Sequence, residues 1–418
     1  MTTDLPPVSL RPRLSRMVGR DPAQRGRLAT PLELLFDLTF VVAFGVTADQ
    51  TAHVLAEGHV GAALGGFGFA MLCVVWAWVN FTWFASAFDT DDWFYRLTTM
   101  VQMMGVVVLA LGIPQMFASI DHGTLFDNSV MVAGYVVMRL AMIAQWLRAA
   151  AQDPAHRASA LLYAGIVGVS QLGWVTLLLV RGASAAVFVP ILLLTAAADI
   201  GGPVLAERLR GGTPWHAHHL AERYSLLTIV ALGEGVFGTV ASVAALVETA
   251  GWSIEAALLV FAGTGLTFTL WWIYFLLPSG AVLTRHRERG QLWSYQHVLI
   301  FPAITGMGAG LHLAAYVVAH ESHLGVTAAV ASVAIPVLAY LLVVFGMYAF
   351  LMRVADWTHG AMVLAAAGLL ALGVALAASG VPVGICLVVV LAAPVVTVVS
   401  YLVFGWRHEE EALRRALA

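Results

Sequence analysis

Lysine is absent from this 418-residue chain, and charge of either sign is scarce: Asp, Glu, Lys and Arg together make up 11% of it, against roughly 25% in a soluble globular domain. A water-soluble enzyme is excluded. With no lysine, all 21 basic residues are arginines, a bias of composition from which no chemistry follows. Cysteine is nearly absent too. Cys73 and Cys386 both stand inside apolar runs, which gives a disulfide or redox role no support. The first 29 residues contain six arginines but no apolar core and no cleavage-site pattern, so they are expected to form a basic tail and not a signal peptide. The ten-residue alternation of barrel strands is missing as well.

Hydrophobic residues, 60% of the chain, are what remains. They fall into long unalternated runs, and a membrane span needs ~20 apolar residues. Twelve spans are predicted, at 31–52, 60–87, 93–118, 128–149, 158–180, 185–207, 221–246, 254–277, 291–318, 325–351, 358–379 and 382–405. The fold class expected is an all-α polytopic membrane protein. Nineteen arginines then fall in the tails and even-numbered loops, Arg223 among them, leaving Arg181 opposite and Arg139 inside a span. The positive-inside rule puts both termini in the cytoplasm, and the expected location is the bacterial inner membrane.

An internal repeat follows from three pairs of segments. Glu33-Leu-Leu-Phe-Asp-Leu-Thr-Phe-Val41 corresponds to Glu222-Arg-Tyr-Ser-Leu-Leu-Thr-Ile-Val230, Trp76-Ala-Trp-Val-Asn-Phe81 to Trp271-Trp-Ile-Tyr-Phe275, and Trp93-Phe-Tyr95 to Trp293-Ser-Tyr295. The expected organisation is a tail over 1–29, six-helix repeats over 30–210 and 211–405, and a second tail over 406–418. Six is even, so the repeats run in the same sense, as two parallel halves. Trp93, Tyr95, Trp271, Trp272, Tyr274 and Tyr295 form their shared aromatic frame.

The same segments carry a resemblance. Glu33-Leu-Leu-Phe-Asp37, Ala221-Glu-Arg-Tyr-Ser-Leu-Leu-Thr-Ile-Val-Ala-Leu-Gly-Glu234, Trp271-Trp-Ile-Tyr-Phe275 and Tyr295-Gln-His297 resemble the bacterial low temperature requirement A family. The resemblance implies a multi-spanning membrane protein and supplies no molecular activity. Two positions depart from the family pattern, Leu276 where aspartate is common and Gly235 where serine is common. They weaken an ion-binding role shared at that carboxylate.

An ionisable group inside a bilayer costs at least ~2.5 kcal/mol, which makes each one a functional candidate. Glu33 and Asp37 stack one turn apart on one helix face; the pair either holds a proton or cation, or is structural, with Asp37 joined to an arginine of another helix. Arg223 and Glu234 are eleven residues apart, about 16 Å along one face, too far to pair. Glu234 is expected to pair with Arg139 or Asp199, as a latch or as a charge relay. His297, Thr305, Gly308 and His312 share a face of span 9 suited to proton movement or to structural hydrogen bonds. Asp37, Glu234 and His297 are expected to meet in one cavity. His216, His218, His219 and Glu222 are weak candidates for a zinc-like ion, without the set that a closed site needs. Gly233-Glu-Gly-Val-Phe-Gly238 has the glycine spacing of a dinucleotide turn but lies inside a span, where close helix packing is the better reading, as it is for Gly306, Gly308 and Gly310. No cofactor, nucleotide or nucleic acid is expected. The expected partners are the lipid bilayer and an unidentified small solute or ion. The favoured function is a secondary transporter or ion-conducting protein; a non-transporting sensor or scaffold and an intramembrane enzyme are the alternatives.

Overall fold

Start signals in the sequence explain where several long helices begin. Thr30 precedes Pro31 and stands three residues before Glu33, and the computed structural model shows the reciprocal pair this spacing allows: Thr30 N donates to Glu33 Oε2 at 2.8 Å and Glu33 N to Thr30 Oγ1 at 3.3 Å. That capping box opens α1 (Pro31–Ala56). Asp92 caps α3 (Trp93–Asp121), His216 caps α7 (Ala217–Ala250) and Ser253 caps α8 (Ile254–Phe275), each accepting a backbone N–H of the first turn. The structure describes residues 14–417 apart from 25, 210, 355 and 356. Residues 1–13 and Arg25 of the expected tail, and Arg210 of the loop arginines, therefore lie outside the described residues.

The other helices are α2 (Val60–Phe88), α4 (Ser129–Gln152), α5 (Arg157–Leu179), α6 (Ala185–Leu209), the short α9 (Ser279–Arg285), α10 (Gly290–Val318), α11 (Val326–Met352), α12 (Trp357–Ala378), α13 (Val383–Ser400) and α14 (Trp406–Leu417). Among the described residues, twelve helical stretches are long and apolar enough to cross a membrane and there is no strand. The chain is a multi-pass helical membrane protein. Its exposed side chains fit that setting: Leu34, Leu35, Leu38 and Val42 line one outward face of α1, and Val236, Phe237 and Val240 one of α7.

Helix α1 packs against both α7 and α10, and α7 against α10. These three helices form the centre of the bundle. The contact pairs Glu33–Arg223 and Gly45–Glu234 advance together along both chains, so α1 and α7 run parallel. Packing of sequential helices is alike in the two halves, α1 with α2 and α3, then α3–α4–α5–α6, and α7 with α8 and α10, then α10–α11–α12–α13, but the second half also packs α8 on α13, a contact that α2 and α6 do not match among the described residues.

Glycine makes the central contact close. A Cβ on Gly308 would stand 2.8 Å from Glu234 Cβ, and one on Gly238 would stand 2.7 Å from the Gly308 carbonyl oxygen. The packing reading of the glycine segments therefore holds at Gly238 and Gly308, and Gly235 faces Met307 in the same interface.

The two end segments are more structured than tails. The described residues 14–24 and 26–30 form a strap held through backbone N–H groups: Met17 N to Gln152 Oε1 at 2.7 Å, Gly19 N to Asp153 Oδ2 at 2.7 Å, Arg20 N to Ala87 O at 2.9 Å and Ala29 N to Glu222 Oε2 at 3.1 Å. Arg27, almost fully buried, donates to the carbonyl oxygens of Ala85 and Ser86. At the other end of the chain, α14 is amphipathic, with Ala412 and Ala416 buried and Glu410, Glu411, Arg414 and Arg415 exposed. It meets α9, where His286 Nε2 lies 2.8 Å from Ala416 O. We call the end of the bundle that carries the strap the basal end and the opposite end the distal end.

Candidate functional site

Helix α7 begins one turn earlier than hydropathy predicts, at Ala217 instead of 221. That turn carries His219, and Arg223 follows one turn later on the same face. Arg223, expected in a loop, is fully buried and joins both α1 carboxylates: its Nη1 is 2.9 Å from Glu33 Oε1 and its Nη2 is 2.5 Å from Asp37 Oδ1. His219, one turn before Arg223, places Nε2 3.1 Å from Glu33 Oε2. Trp78 Nε1 donates to Asp37 Oδ1 at 2.6 Å. Two carboxylates spaced by four on α1 thus face an arginine and a histidine spaced by four on α7, the spacing that stacks side chains on one helix face. Asp37 is joined to an arginine of another helix, as one of the two sequence readings requires. Asp37 Oδ2 and Arg223 Nε retain no hydrogen-bond partner among the described residues.

An aromatic layer lies next to this cluster. Tyr224 packs on Trp78 (ring centroids 4.7 Å apart) and on His297 (4.5 Å). His297 Nδ1 is 2.9 Å from Trp293 O, a carbonyl that can only accept, and Nε2 is 2.8 Å from the Tyr274 hydroxyl. A neutral imidazole with its hydrogen on Nδ1 satisfies both contacts. His297 is therefore connected to Asp37 through the rings of Tyr224 and Trp78. Tyr95 is likewise buried, Tyr295 donates to Ile200 O at 2.8 Å, Trp272 is half-buried, and Trp93 and Trp271 are exposed.

The expected partners of Glu234 pair with each other. Arg139 Nη2 lies 3.2 Å from Asp199 Oδ1, and Tyr135 and Trp174 each donate to Asp199 Oδ2 at 3.1 Å. Both charges are buried within α4, α5 and α6, so neither the latch nor the relay through Glu234 exists. Similar depth in the chain did not make Glu234 and Arg139 neighbours, because α4 packs on α3 and α5 and not on α7.

Glu234 instead sits between α1 and α10. It is 2% exposed, and among the described residues it has no hydrogen-bond or ion-pair partner. Its Oε1 occupies the space a side chain at Gly45 would fill, 3.3 Å from the position of that Cβ. Distal to it, α1 carries Asp49 and His53 and is followed by its C-cap Glu57, each four residues on, and His53 Nε2 is 3.5 Å from Glu57 Oε1. His312 and Tyr316 of α10 are half-buried, and the Tyr316 ring centre is 6.3 Å from that of His53. A row of polar side chains thus runs from Glu234 to the distal end. Asp37 and Glu234 are separate features, three turns of α7 apart.

On the basal side, a cavity of about 650 Å³ lies under the strap, lined by Gln24, Arg27, His216, His218, Glu222 and Thr284 among others. The three histidines do not converge on an ion. His216 accepts from His219 N at 3.1 Å and puts Nε2 2.7 Å from Gln24 O, His219 faces Glu33, and His218 is exposed. Burial pushes His216 below its ordinary pKa, consistent with a neutral ring in that role. Nearby, Asp89 after α2 is raised to about 6, chiefly by burial and next by Glu33, against the pull of Arg27 and Arg20.

Sequence reasoning missed Arg27, Trp78 and Tyr224. The Thr30-Pro-Leu-Glu33 capping pattern was available as a signal for where α1 starts, and Trp78 stands inside the Trp76-Ala-Trp-Val-Asn-Phe81 segment already compared between the halves.

The fold and these buried charges define a class, that of multi-pass helical membrane proteins with ionisable groups held inside the bundle. Within that class, the family model for the bacterial low temperature requirement A protein matches residues 28–394, and the chain belongs to this family. It is similar to an uncharacterised protein of Rhizobium meliloti (strain 1021), 28% identical over 253 residues, 58% of this chain and 57% of the relative. The chain thus spans a little over half the length of that relative. No solved structure matches it.

Proposed function

We propose that this protein is a secondary transporter or ion-conducting protein of the bacterial inner membrane, with both termini cytoplasmic, and that Glu234 is the group that takes up and releases a proton or a cation. The observation that carries this reading is a carboxyl group buried at the α1–α7–α10 junction with no partner of its own among the described residues. A carboxylate left unpaired in a low-dielectric interior is strongly disfavoured, so such a group holds a proton or a cation and is suited to exchanging it. Arg139–Asp199 is a contrasting case: it is fully paired, and that suits a structural tie.

The surroundings of Glu234 support the same reading. The polar row of Asp49, His53, Glu57, His312 and Tyr316 offers a path from the distal end. The cavity under the strap offers an approach from the basal end as far as His216 and Glu222, sequence neighbours of His219 and Arg223 in the layer that these two form with Glu33. That layer lies about 16 Å from Glu234 along α7. It would act as the basal gate, closed in this conformation, with α1 shifting against α7 to open it. The parallel run of α1 and α7 and the like packing of sequential helices support two parallel repeats meeting where α1 and α7 pass.

The test is purified protein in liposomes under an imposed pH difference, with proton entry followed by an internal pH dye. Wild type should dissipate the gradient faster than empty liposomes, and Glu234→Gln, folded to the same melting temperature, should not. Equal rates for wild type and Glu234→Gln would overturn the role of Glu234.

A further inference from the structure

At the distal end, the turn between α1 and α2 brings two potential ligands beside a third from α3. Gly58 has φ +85°, a left-handed conformation that a side chain would disfavour, and it lets the chain reverse within Glu57-Gly-His59. Asp121, the last residue of α3, lies against that turn. Oxygens of Glu57 and Asp121 and a ring nitrogen of His59 all come within 4.8 Å of one another. His59 Nδ1 is 2.6 Å from Asp121 Oδ1 and 3.8 Å from Glu57 Oε2.

Three features distinguish this group from surface charge. The Asp121 side chain is 7% exposed, and its buried Oδ1, aimed at His59, has no hydrogen-bond partner among the described residues, so the 2.6 Å contact lacks hydrogen-bond geometry. His59 stands at the N-cap of α2 without capping it by its side chain, so its ring is turned to the two carboxylates and not to the helix backbone. His53, one turn before Glu57, contacts the other Glu57 oxygen at 3.5 Å and can orient that carboxylate, as outer-shell groups do around metal ions.

We propose that Glu57, His59 and Asp121 bind a zinc-class divalent transition-metal ion, with a water completing the site. Imidazole with carboxylates suits such ions, whereas calcium and magnesium take oxygen ligands. In a tetrahedral site with ligand bonds of ~2.0–2.2 Å the donor atoms stand about 3.3–3.6 Å apart, so the 2.6 Å contact between His59 and Asp121 has to open and the wider separations, up to 4.8 Å, have to close, by shifts of about 1 Å in each case. The side chains of Glu57 and His59, 43% and 54% exposed, are free to make them, with buried Asp121 as the fixed point. The ion would tie the α1–α2 turn to the end of α3 at the mouth of the polar row. The proposal does not depend on the transport reading.

The experiment is titration of the purified full chain in detergent with zinc chloride alone, read by calorimetry and by the metal retained after desalting. The expected result is one saturable site, with binding weakened at least tenfold in His59→Ala and again in Asp121→Asn, while His122→Ala binds as wild type. Zinc should raise the melting temperature of wild type and not of His59→Ala, and calcium should bind far more weakly. An absence of saturable binding, wild-type affinity in His59→Ala and Asp121→Asn, or equal affinity for calcium and zinc would overturn the proposal. If Asp121→Asn does not fold, exposed His59→Ala decides alone.

Discussion

Among the described residues, Arg223 is the sole cationic partner of Asp37, and it also neutralises Glu33. Replacing it by methionine keeps a long apolar stem and deletes the guanidinium. Both α1 carboxylates are then left without their cation at 0–1% exposure. Removing one partner of a buried ion pair costs about 3–5 kcal/mol, whereas replacing the whole pair by neutral groups of similar shape is often close to neutral. Arg223→Met alone should therefore lower stability by about that amount, with His219 relieving only Glu33. The triple variant Arg223→Met, Glu33→Gln, Asp37→Asn should recover at least half of the loss. The amide introduced by Glu33→Gln keeps an acceptor for Thr30 N, and the one introduced by Asp37→Asn keeps an acceptor for Trp78 Nε1. Such strong non-additivity is the mark of directly coupled residues. The assay is thermal unfolding in detergent, followed by circular dichroism and tryptophan fluorescence. If the triple variant is less stable than Arg223→Met, or if Arg223→Met melts with wild type, the three charges are not one latch and the gate assigned to them fails.

Three other outcomes are expected. Gly308→Ala puts a methyl group against Glu234 Cβ and the Glu234 carbonyl, at 2.8 and 2.9 Å; it should cost about 1–3 kcal/mol as an overpacked contact, read by the same melting assay. Asp89 has its pKa raised to about 6 by burial, so the folded state holds its proton more tightly than the unfolded state. The cost of ionising it grows as pH rises from about 4 through 6. Asp89→Asn should stabilise the protein at pH 7–8 and lose that advantage near pH 4, and a benefit independent of pH would contradict the assignment. Trp78→Phe deletes the hydrogen bond to Asp37 Oδ1 and should cost about 1.5–3 kcal/mol, as bonds to charged groups do, while Trp76→Phe, whose Nε1 has no partner among the described residues, should cost less.

Much of the fold could be read from apolar run length alone, because each helix must bury its own backbone polar groups in lipid and so extends across it. The limits of that reading appear at particular residues. A hydropathy window trims the polar first turn of α7 and with it His219, and Arg223, at the very edge of the predicted span, was counted with the loop arginines although it belongs to the same helical turns. The spacing of Glu33 and Asp37 was informative, because both ends of an i,i+4 pair on one helix meet whatever packs on that face. The partner of Arg139 was not legible. Depth along the bundle left Glu234 and Asp199 equivalent, and only the packing of α4 beside α5 and α6 separates them. Glu57, His59 and Asp121 went unnoticed because a turn and a third helix bring them together and no spacing does.

Glu234 as an exchangeable site is the centre of the proposed function, and infrared difference spectroscopy of the protein in lipid, recorded as pH is stepped, tests this directly. The prediction is a carboxyl band that responds to the step, shifts in deuterated water and is missing from the difference spectrum of Glu234→Gln while persisting in Asp37→Asn. Identical difference spectra for wild type and Glu234→Gln would contradict it.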